Sequence, residues 1–510
     1  MNDIWKHTAL AFLVFVLCIT STWAQSNFEP GSKIQLSKSR KSIYNHINNL
    51  SQKTGLNFIY DSNIINNDNK ETIPSGSYTV EEAIRLITGN KNIFVNIEGD
   101  YALIYIPQAE DNENSLTPVA NTPLYTDDTL LINGKVYDRV TKEPLPYASI
   151  TLEGKSMGTI TNSDGAFRLS IKDTIAGIKI KISYLGYQSR IIPARLMSHG
   201  VAHIMLDPRI IPLQEVVVKV TDPLGLVSKM KMARTTNYST EPANLTTFYR
   251  EGTEYKKSIS LTEAVLKVYK TGINSTHREQ VKILKMRKIT DPGQHDTLVA
   301  KLKSSISSAL LLDIVKNAPD FLSSETMQQY DFSHTDITTL DQRRVYVVSF
   351  SQKESVKKPL YQGKLYIDAQ NYALVEARFR ITPKHLKAAK YDLIVKESKG
   401  LSITPLDVSY LVSYKMYNGK YHVNHVKGEL LLKVKRDRKL SSSQLKVWFQ
   451  MATCVIDNQA TPVQKDERFN PDKIFSEASY SYDPDFWKNF NIILPEEKII
   501  DIIENYNFNQ

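Results

Sequence analysis

The segment Ile178-Lys-Ile-Lys-Ile-Ser-Tyr184 alternates apolar and polar side chains without a break. In an extended strand a period of two puts alternate side chains on opposite faces, so this segment must bury one face and expose the other. The same alternation governs residues 131–218. Ile132–Asp138, Ala148–Leu152, Phe167–Ile171, Val201–Leu206 and Glu215–Val218 read as strands, and Thr159–Gly165 as a strand feeding a turn. Lys142-Glu-Pro-Leu-Pro146 is a Pro-marked turn. About seven short strands so closely spaced predict a β-sandwich over residues 129–218.

A different grammar precedes it. Ile43, Ile47 and Leu50 share one helical face, and Gly55 stops that helix. Leu56–Tyr60 reads as a strand. Thr79-Val-Glu-Glu82 is a capping box that opens a second helix, with Ala83, Ile84 and Ile87 as its apolar face and Gly89 as its stop. Ile93–Ile97 and Tyr101–Ile106 form a hairpin around Gly99-Asp100. Two small helices on one small sheet give an α+β domain over residues 30–107. Residues 108–128, with Glu110, Asp111, Glu113, Asp127 and Asp128 and little periodicity, read as a flexible acidic linker.

At the N-terminus, Met1–Ala24 has Lys6 and His7, then the apolar run Thr8–Thr20, then Thr22-Trp23-Ala24 before Gln25. That is the plan of a secretory signal, and the run is shorter than the ~20 residues a spanning helix needs. Cys18 follows Leu17 inside the run, which argues against lipidation. The expected mature chain then keeps one cysteine, Cys454, and cannot form an internal disulfide. Its strand-like surroundings predict a buried, unreactive thiol.

Two of these regions resemble known families. Thr54-Gly-Leu-Asn-Phe-Ile-Tyr-Asp61 and Tyr78-Thr-Val-Glu-Glu-Ala83, in that order before a closing hairpin, resemble the short N-terminal domain of secretins and TonB-dependent receptors. That resemblance implies a periplasmic interaction module which contacts an anti-sigma regulator or a TonB-like protein. Gly134–Asp138, Pro144-Leu-Pro-Tyr-Ala148, Gly158–Phe167, Ser183-Tyr-Leu-Gly-Tyr187 and Leu213–Val218 are similar to the carboxypeptidase regulatory-like domain of secreted and outer-membrane proteins of the Bacteroidetes. In that family the domain is an accessory sandwich, not a peptidase. Asn162, Ser163 and Asp164 have the oxygen chemistry of calcium ligands, but a turn ending in Gly165 accounts for them without an ion.

Residues 219–510 alternate again at Phe248–Glu251, Glu263–Tyr269, Arg344–Phe350, Gly363–Asp368, Ala373–Ile381, Asp407–Met416, Lys420–Val426, Glu429–Val434 and Leu445–Ile456. Tyr417-Asn418-Gly419 is a strong hairpin signal. A helix is expected over Ser305–Leu322 and another from Pro495 onward. Together they predict a mainly antiparallel β domain, a curved sheet or half-barrel, with few helices. Tyr361–Asp368 and Asn371–Leu374 are similar to strands of periplasmic lipoprotein-carrier folds, which implies a lipid-cupping alternative. Tyr410, Tyr414, Tyr417 and Tyr421 would line such a groove or simply pack. A transmembrane barrel fits poorly with the helix-like stretch and charged hairpins.

No P-loop, GxSxG or HExxH occurs in the sequence, and His422 and His425, three apart on one strand, should face opposite ways. A net charge of +10 on 510 residues is too dilute to imply nucleic acid. The reading is a non-enzymatic envelope protein without cofactor or metal, in the periplasm near the outer membrane. It binds a periplasmic partner through its first domain. The alternatives are a lipid or lipoprotein carrier, and a hydrolase with a site assembled from distant residues of 219–510.

Overall fold

The computed structural model describes residues 31–60, 65, 69–98, 101–105, 125–126, 129–172, 177–197, 200–209, 222–256, 258–290, 301–302, 306–396, 400–437, 441–473, 475, 478, 490–497 and 499–500. The chain divides into two units, Met1–Asn121 and Thr122–Gln510. The expected signal segment lies outside the described residues, as does the strand expected at 215–218.

In the first unit helix α1 (Ile43–Thr54) starts where the Ser42 side chain accepts the Asn45 N–H, and ends at Gly55 with φ 73°. Helix α2 (Val80–Thr88) has the reciprocal Thr79/Glu82 capping box and ends at Gly89. Both stops need left-handed backbone that glycine adopts without a Cβ clash. The strands form three small sheets, not the single one expected. β1 (Ile34–Leu36) pairs β5 (Gly76–Tyr78), and β2 (Ser39–Ser42) pairs β4 (Lys70–Ile73). β3 (Asn57–Tyr60), β7 (Tyr101–Tyr105) and β6 (Phe94–Glu98) make the third, with β3 parallel to β7. Only two residues separate β1 from β2, and each turns to a different partner. Leu50, Ala83, Ile84 and Ile93 are fully buried between these elements.

The second unit opens on two facing sheets. One is ordered β11 (Gly158–Ile160), β10 (Ser149–Leu152), β13 (Lys179–Ser183), β14 (Arg190–Pro193). The other is ordered β12 (Ala166–Lys172), β9 (Thr129–Asp138), β15 (Val201–Leu206). Alternate residues Ile132, Val136, Phe167, Leu169, Ile180, Ile182 and Ile204 are buried, as the period of two requires. The expected linker runs too far. β8 (Tyr125–Thr126) pairs with Leu130 and Thr129 of β9, because a two-residue connection is enough for adjacent strands to bond. The rest of residues 108–128 lie outside the described ones.

The remainder builds one ten-stranded antiparallel sheet. Its strands in sequence are β16 (Ala243–Tyr255), β17 (Ser258–Lys270), β18 (Gln280–Thr290), β20 (Tyr330–Leu340), β21 (Arg343–Gln352), β22 (Tyr361–Asp368), β23 (Leu374–Ile381), β25 (Leu401–Tyr417), β26 (Lys420–Arg436) and β27 (Ser442–Asp457). The spatial order is β18-β17-β16-β27-β26-β25-β23-β22-β21-β20. β19 (Lys301–Leu302) and β24 (Ile394–Lys396) form a separate pair. Among the described residues the sheet is open, with β18 and β20 as its edges. Asn418 (φ 49°) and Gly419 (φ 73°) make the tight β25–β26 turn, where two positive φ values match the strand twist. Lys420–Val426 and Glu429–Val434, read as two strands, are one continuous strand.

Two helix expectations change. Helix α3 (Pro223–Met232), capped by Asp222, precedes the sheet. Of Ser305–Leu322 only α4 (Ile306–Leu311) is an α-helix. Beyond it, buried Asp313 pairs with Lys270 at 2.6 Å and accepts the Tyr414 hydroxyl at 3.1 Å, and Pro319 has no N–H to continue a helix. The helix expected from Pro495 begins two residues later, with helical backbone from residue 497, and the Glu496 carbonyl accepts the Ile499 and Ile500 N–H groups at 2.8 and 3.1 Å. No helix among the described residues is long and apolar enough to cross a membrane.

Candidate binding cleft

The ten-stranded sheet has two unlike faces. On one, Tyr249, Leu266, Val412, Tyr414, Val426 and Met451 pack with Ile314, Val315 and Phe321 in a large apolar cluster. Phe321 stacks on Phe350 at 4.2 Å and meets Phe379 edge-on at 5.1 Å. This is the face that could have cupped a lipid, and the chain's own side chains fill it. Tyr414 and Tyr421 are buried around Tyr238, and Tyr410 stands against Phe379 and Tyr361. They act as packing residues.

The sandwich lies on the other face, held there by a strap of non-helical chain, residues 490–496. Ile492 and Ile493 are buried with Ile160 of the sandwich and with Phe248, Val265, Ala452 and Cys454 of the sheet. The Asn162–Gly165 turn binds this strap. Asn162 Nδ2 donates to the Pro495 carbonyl at 3.1 Å, Ser163 Oγ to Glu496 Oε1 at 3.2 Å, and the Glu497 N–H donates to Asp164 Oδ2 at 3.0 Å. From the sheet, fully buried Arg250 donates to Glu496 Oε1 at 2.7 Å and to the Leu494 carbonyl at 3.3 Å. Its guanidinium lies 5.1 Å from the Trp448 ring centroid, and Trp448 in turn covers Gly252, where any Cβ would clash with the indole. Burial raises the Glu496 carboxyl; the Arg250 charge, together with hydrogen bonds from Arg250, Ser163 and the backbone, outweighs it and holds the group below its ordinary value. Nothing in the local spacing of Arg250 or Glu496 marked them as partners.

Where the sandwich ends, Tyr147 projects onto the sheet. Its φ of 64° is left-handed, a costly backbone for a bulky residue and a recurrent mark of functional sites. The ring stacks on His425 at 5.0 Å, and Lys427 Nζ donates to its hydroxyl at 3.0 Å. Lys427 also pairs with Glu429 at 3.0 Å. Burial would lower the Lys427 amine, but Tyr147 and Glu429 outweigh that and raise it.

Two hollows flank Tyr147. The first, about 690 Å³, lies between the sandwich and the sheet and is lined by Lys155, Lys181, Tyr184, Asp341, Glu376 and Lys415 among others. Lys415 donates to the Thr453 carbonyl at 2.7 Å, and burial pushes its amine down to about 8. The second, about 580 Å³, opens on the sheet face over Ser349, Gln362, Lys364, Arg378, Ser409 and Lys427. The first lining mixes polar and apolar surface about equally, and the second exposes mainly apolar surface between its charged groups.

His422 and His425 do not face opposite ways. Ser413 pairs with His425 and Tyr414 with Val423, so Asn424 is an extra residue in β26. That bulge restores the phase and puts both histidines on the sandwich side. Burial, with Lys427 nearby, pushes His425 down to about 3; burial, with Lys415 nearby, pushes His422 down to about 4. Cys454 is buried and its thiol is pushed up to about 11 by that burial, so it stays protonated. Among the described residues no group of three or more His, Cys, Asp or Glu could hold a metal ion.

Comparison with known proteins speaks to the sandwich. Residues 132–218 match the family model of the CarboxypepD_reg-like domain. The sandwich is a CarboxypepD_reg-like domain. Tyr147 and the Asn162–Gly165 turn therefore belong to this domain, and through them it grips the strap and the sheet. No curated protein matches the chain. Two solved structures show some likeness to it. One is a domain from Vibrio parahaemolyticus described as an outer membrane lipoprotein-sorting protein, at 8% identity, covering 48% of this chain and 96% of its own, with a TM-score of 0.21. The other is a LolA superfamily protein from Nitrosomonas europaea, at 9% identity, covering 46% of this chain and 94% of its own, with a TM-score of 0.16. Neither likeness bears on function.

Proposed function

We propose that this chain is a non-enzymatic binding protein of the bacterial cell envelope. The observation that carries this is the cleft around Tyr147, where a CarboxypepD_reg-like domain is fastened to a broad sheet and two open hollows remain. A strained tyrosine held by Lys427 and His425 is a preformed recognition element rather than a proton-transfer site. His425 stays neutral and Cys454 stays protonated near pH 7, so neither offers an acid or a nucleophile in the ordinary range. The first unit, by its resemblance to receptor signalling domains, docks a periplasmic anti-sigma regulator or TonB-like protein. The chain then couples a ligand in the cleft to that partner.

The test is fractionation and cross-linking of the tagged full chain in a bacterium of the envelope type. The chain is expected in the periplasm or at the outer membrane, cross-linked to a periplasmic protein through residues 31–105. Recovery from the cytosol with Met1 intact, or turnover by the purified chain in a hydrolase panel, would overturn the proposal.

A further inference from the structure

The 690 Å³ hollow between the sandwich and the sheet holds one charge that nothing around it balances. Of its four lining cations, Lys181 pairs with Asp341 and Arg343 with Asp368, both at 2.7 Å. Lys155 is exposed on the same turn as exposed Glu153. The remaining cation is Lys415, half-buried on β25. Its amine reaches past β26 to the Thr453 carbonyl of β27 at 2.7 Å, and meets the Ser156 carbonyl only at 3.5 Å. By register Glu376 stands opposite Ser413, two residues back on β25, and Arg378 already holds that carboxylate at 2.5 Å. No carboxylate among the described residues pairs with Lys415, and burial accordingly depresses its amine. Two polar side chains beside it are also unused. Asn424, the extra residue of the β26 bulge, lines the hollow at 6% exposure, yet its amide makes no hydrogen bond among the described residues. Ser413, on the Lys415 face of β25, lines it too, and its hydroxyl is likewise unbonded among the described residues.

We propose that this hollow binds a small organic monocarboxylate, whose carboxylate becomes the counter-ion of Lys415 and accepts from the Asn424 amide and the Ser413 hydroxyl. The ligand's charge follows from the single uncompensated cation. A dianion would bring a second charge with no partner, and an amine would set two cations together, each costly away from water. A neutral molecule would leave Lys415 without a counter-ion. The ligand's body follows from the walls, which mix polar and apolar surface. Ile191 and Met416 stand exposed there beside Leu185, so an apolar tail is covered while the carboxylate seats at the amine. The volume is that of a pocket for a small molecule rather than for a chain.

The inference rests on the binding reading above. Its test uses only the purified full chain and defined ligands, so its failure leaves envelope location and partner capture by the first unit unaffected. Titration calorimetry with hydrocinnamate should show saturable binding. The neutral hydrocinnamamide and the cationic phenylpropylamine, of nearly the same shape, should bind about tenfold more weakly or not at all. Brief acetylation read by mass spectrometry should label Lys415 in the free chain, and hydrocinnamate but not its amide should protect it. Lys415→Met keeps the apolar stem and removes the charge. It should weaken hydrocinnamate binding about ten- to a hundredfold, as expected for one charge-assisted hydrogen bond, without lowering the midpoint of thermal unfolding. Ser413→Ala should weaken binding about two- to tenfold, with circular dichroism unchanged. No binding by hydrocinnamate, equal binding of the amide, or unchanged affinity of the Lys415→Met chain overturns the proposal. Where Lys415→Met fails to fold, unchanged affinity of the Ser413→Ala chain overturns it instead.

Discussion

The two faces of the ten-stranded sheet solve the same burial problem with different chemistry. The face toward α4 and Phe321 is closed by aromatic and aliphatic side chains around a chain of ion pairs, Asp313–Lys270–Glu279–Lys316. The face toward the CarboxypepD_reg-like domain is closed by a strap and a buried Arg250–Glu496 pair, and leaves a cleft open. Apolar burial is non-directional and tolerates few alternatives to dense packing. A charged contact is directional, and much of its cost is desolvation that only the right partner offsets. The first face should therefore set how stable the unit is, and the second how it is joined and what it binds.

The sharpest way to break that comparison is to empty the apolar side. Phe321→Ala removes a fully buried ring stacked on Phe350. It should cost about 3–5 kcal/mol in denaturant unfolding, toward the upper end. A cost under about 1 kcal/mol would mean the apolar face is not what holds the unit.

Next in size is the strap. Glu496→Ala leaves Arg250 buried without its carboxylate and should cost about 3 kcal/mol. The double change Arg250→Met with Glu496→Leu should recover most of that, since an apolar pair needs no desolvation compensation. The Glu496 carboxyl is held below its ordinary 4.5 in the folded chain. Its contribution is thus present above about pH 4.5 and lost as pH falls through the folded value. Glu496→Gln should flatten the unfolding free energy over that acidic range while leaving the slope at pH 6–8 unchanged.

The smallest effect per side chain concerns the histidines under the sandwich. His425 and His422 ordinarily titrate near 6.5, and the folded chain holds them to about 3 and about 4. The unfolded chain takes up protons first as pH falls. Stability is then full above about pH 6.5 and declines toward pH 4, by on the order of 2 kcal/mol for each histidine at pH 5. Urea unfolding at pH 7.5 and 5.0 measures this, and His425→Gln should remove about half of the difference. An unchanged difference would mean that the imidazole is protonated in the folded chain.

Much of the fold was legible because its signals are local. The Thr79–Glu82 box, the Gly55 and Gly89 stops and the Asn418-Gly419 turn each act within four or five residues, and each sits where the sequence put it. Strand alternation at Phe248–Glu251 and Leu445–Ile456 was equally plain, but not that these two strands would pair across some 200 residues of intervening chain. The Ser305–Leu322 stretch misled for a similar reason. Its apolar spacing suits a helix, yet Lys270 and Tyr414 claim Asp313 from outside the segment.

The sequence by itself determined most of the strands, the helix caps at Thr79, Gly55 and Gly89, the Asn418-Gly419 turn, and that a sandwich lies within 129–218. Period, caps and turn residues are properties of neighbours along the chain. Only the tertiary structure decided what those elements do to one another. One extra residue at Asn424 turned His425 to the same side as His422, beneath Tyr147. The non-helical segment that ends at Glu496 is bound by Arg250, Asn162 and Ser163, and the expected helix begins just beyond it, at residue 497. Such partners are chosen by long-range register and desolvation, and no window of sequence contains both members of the choice.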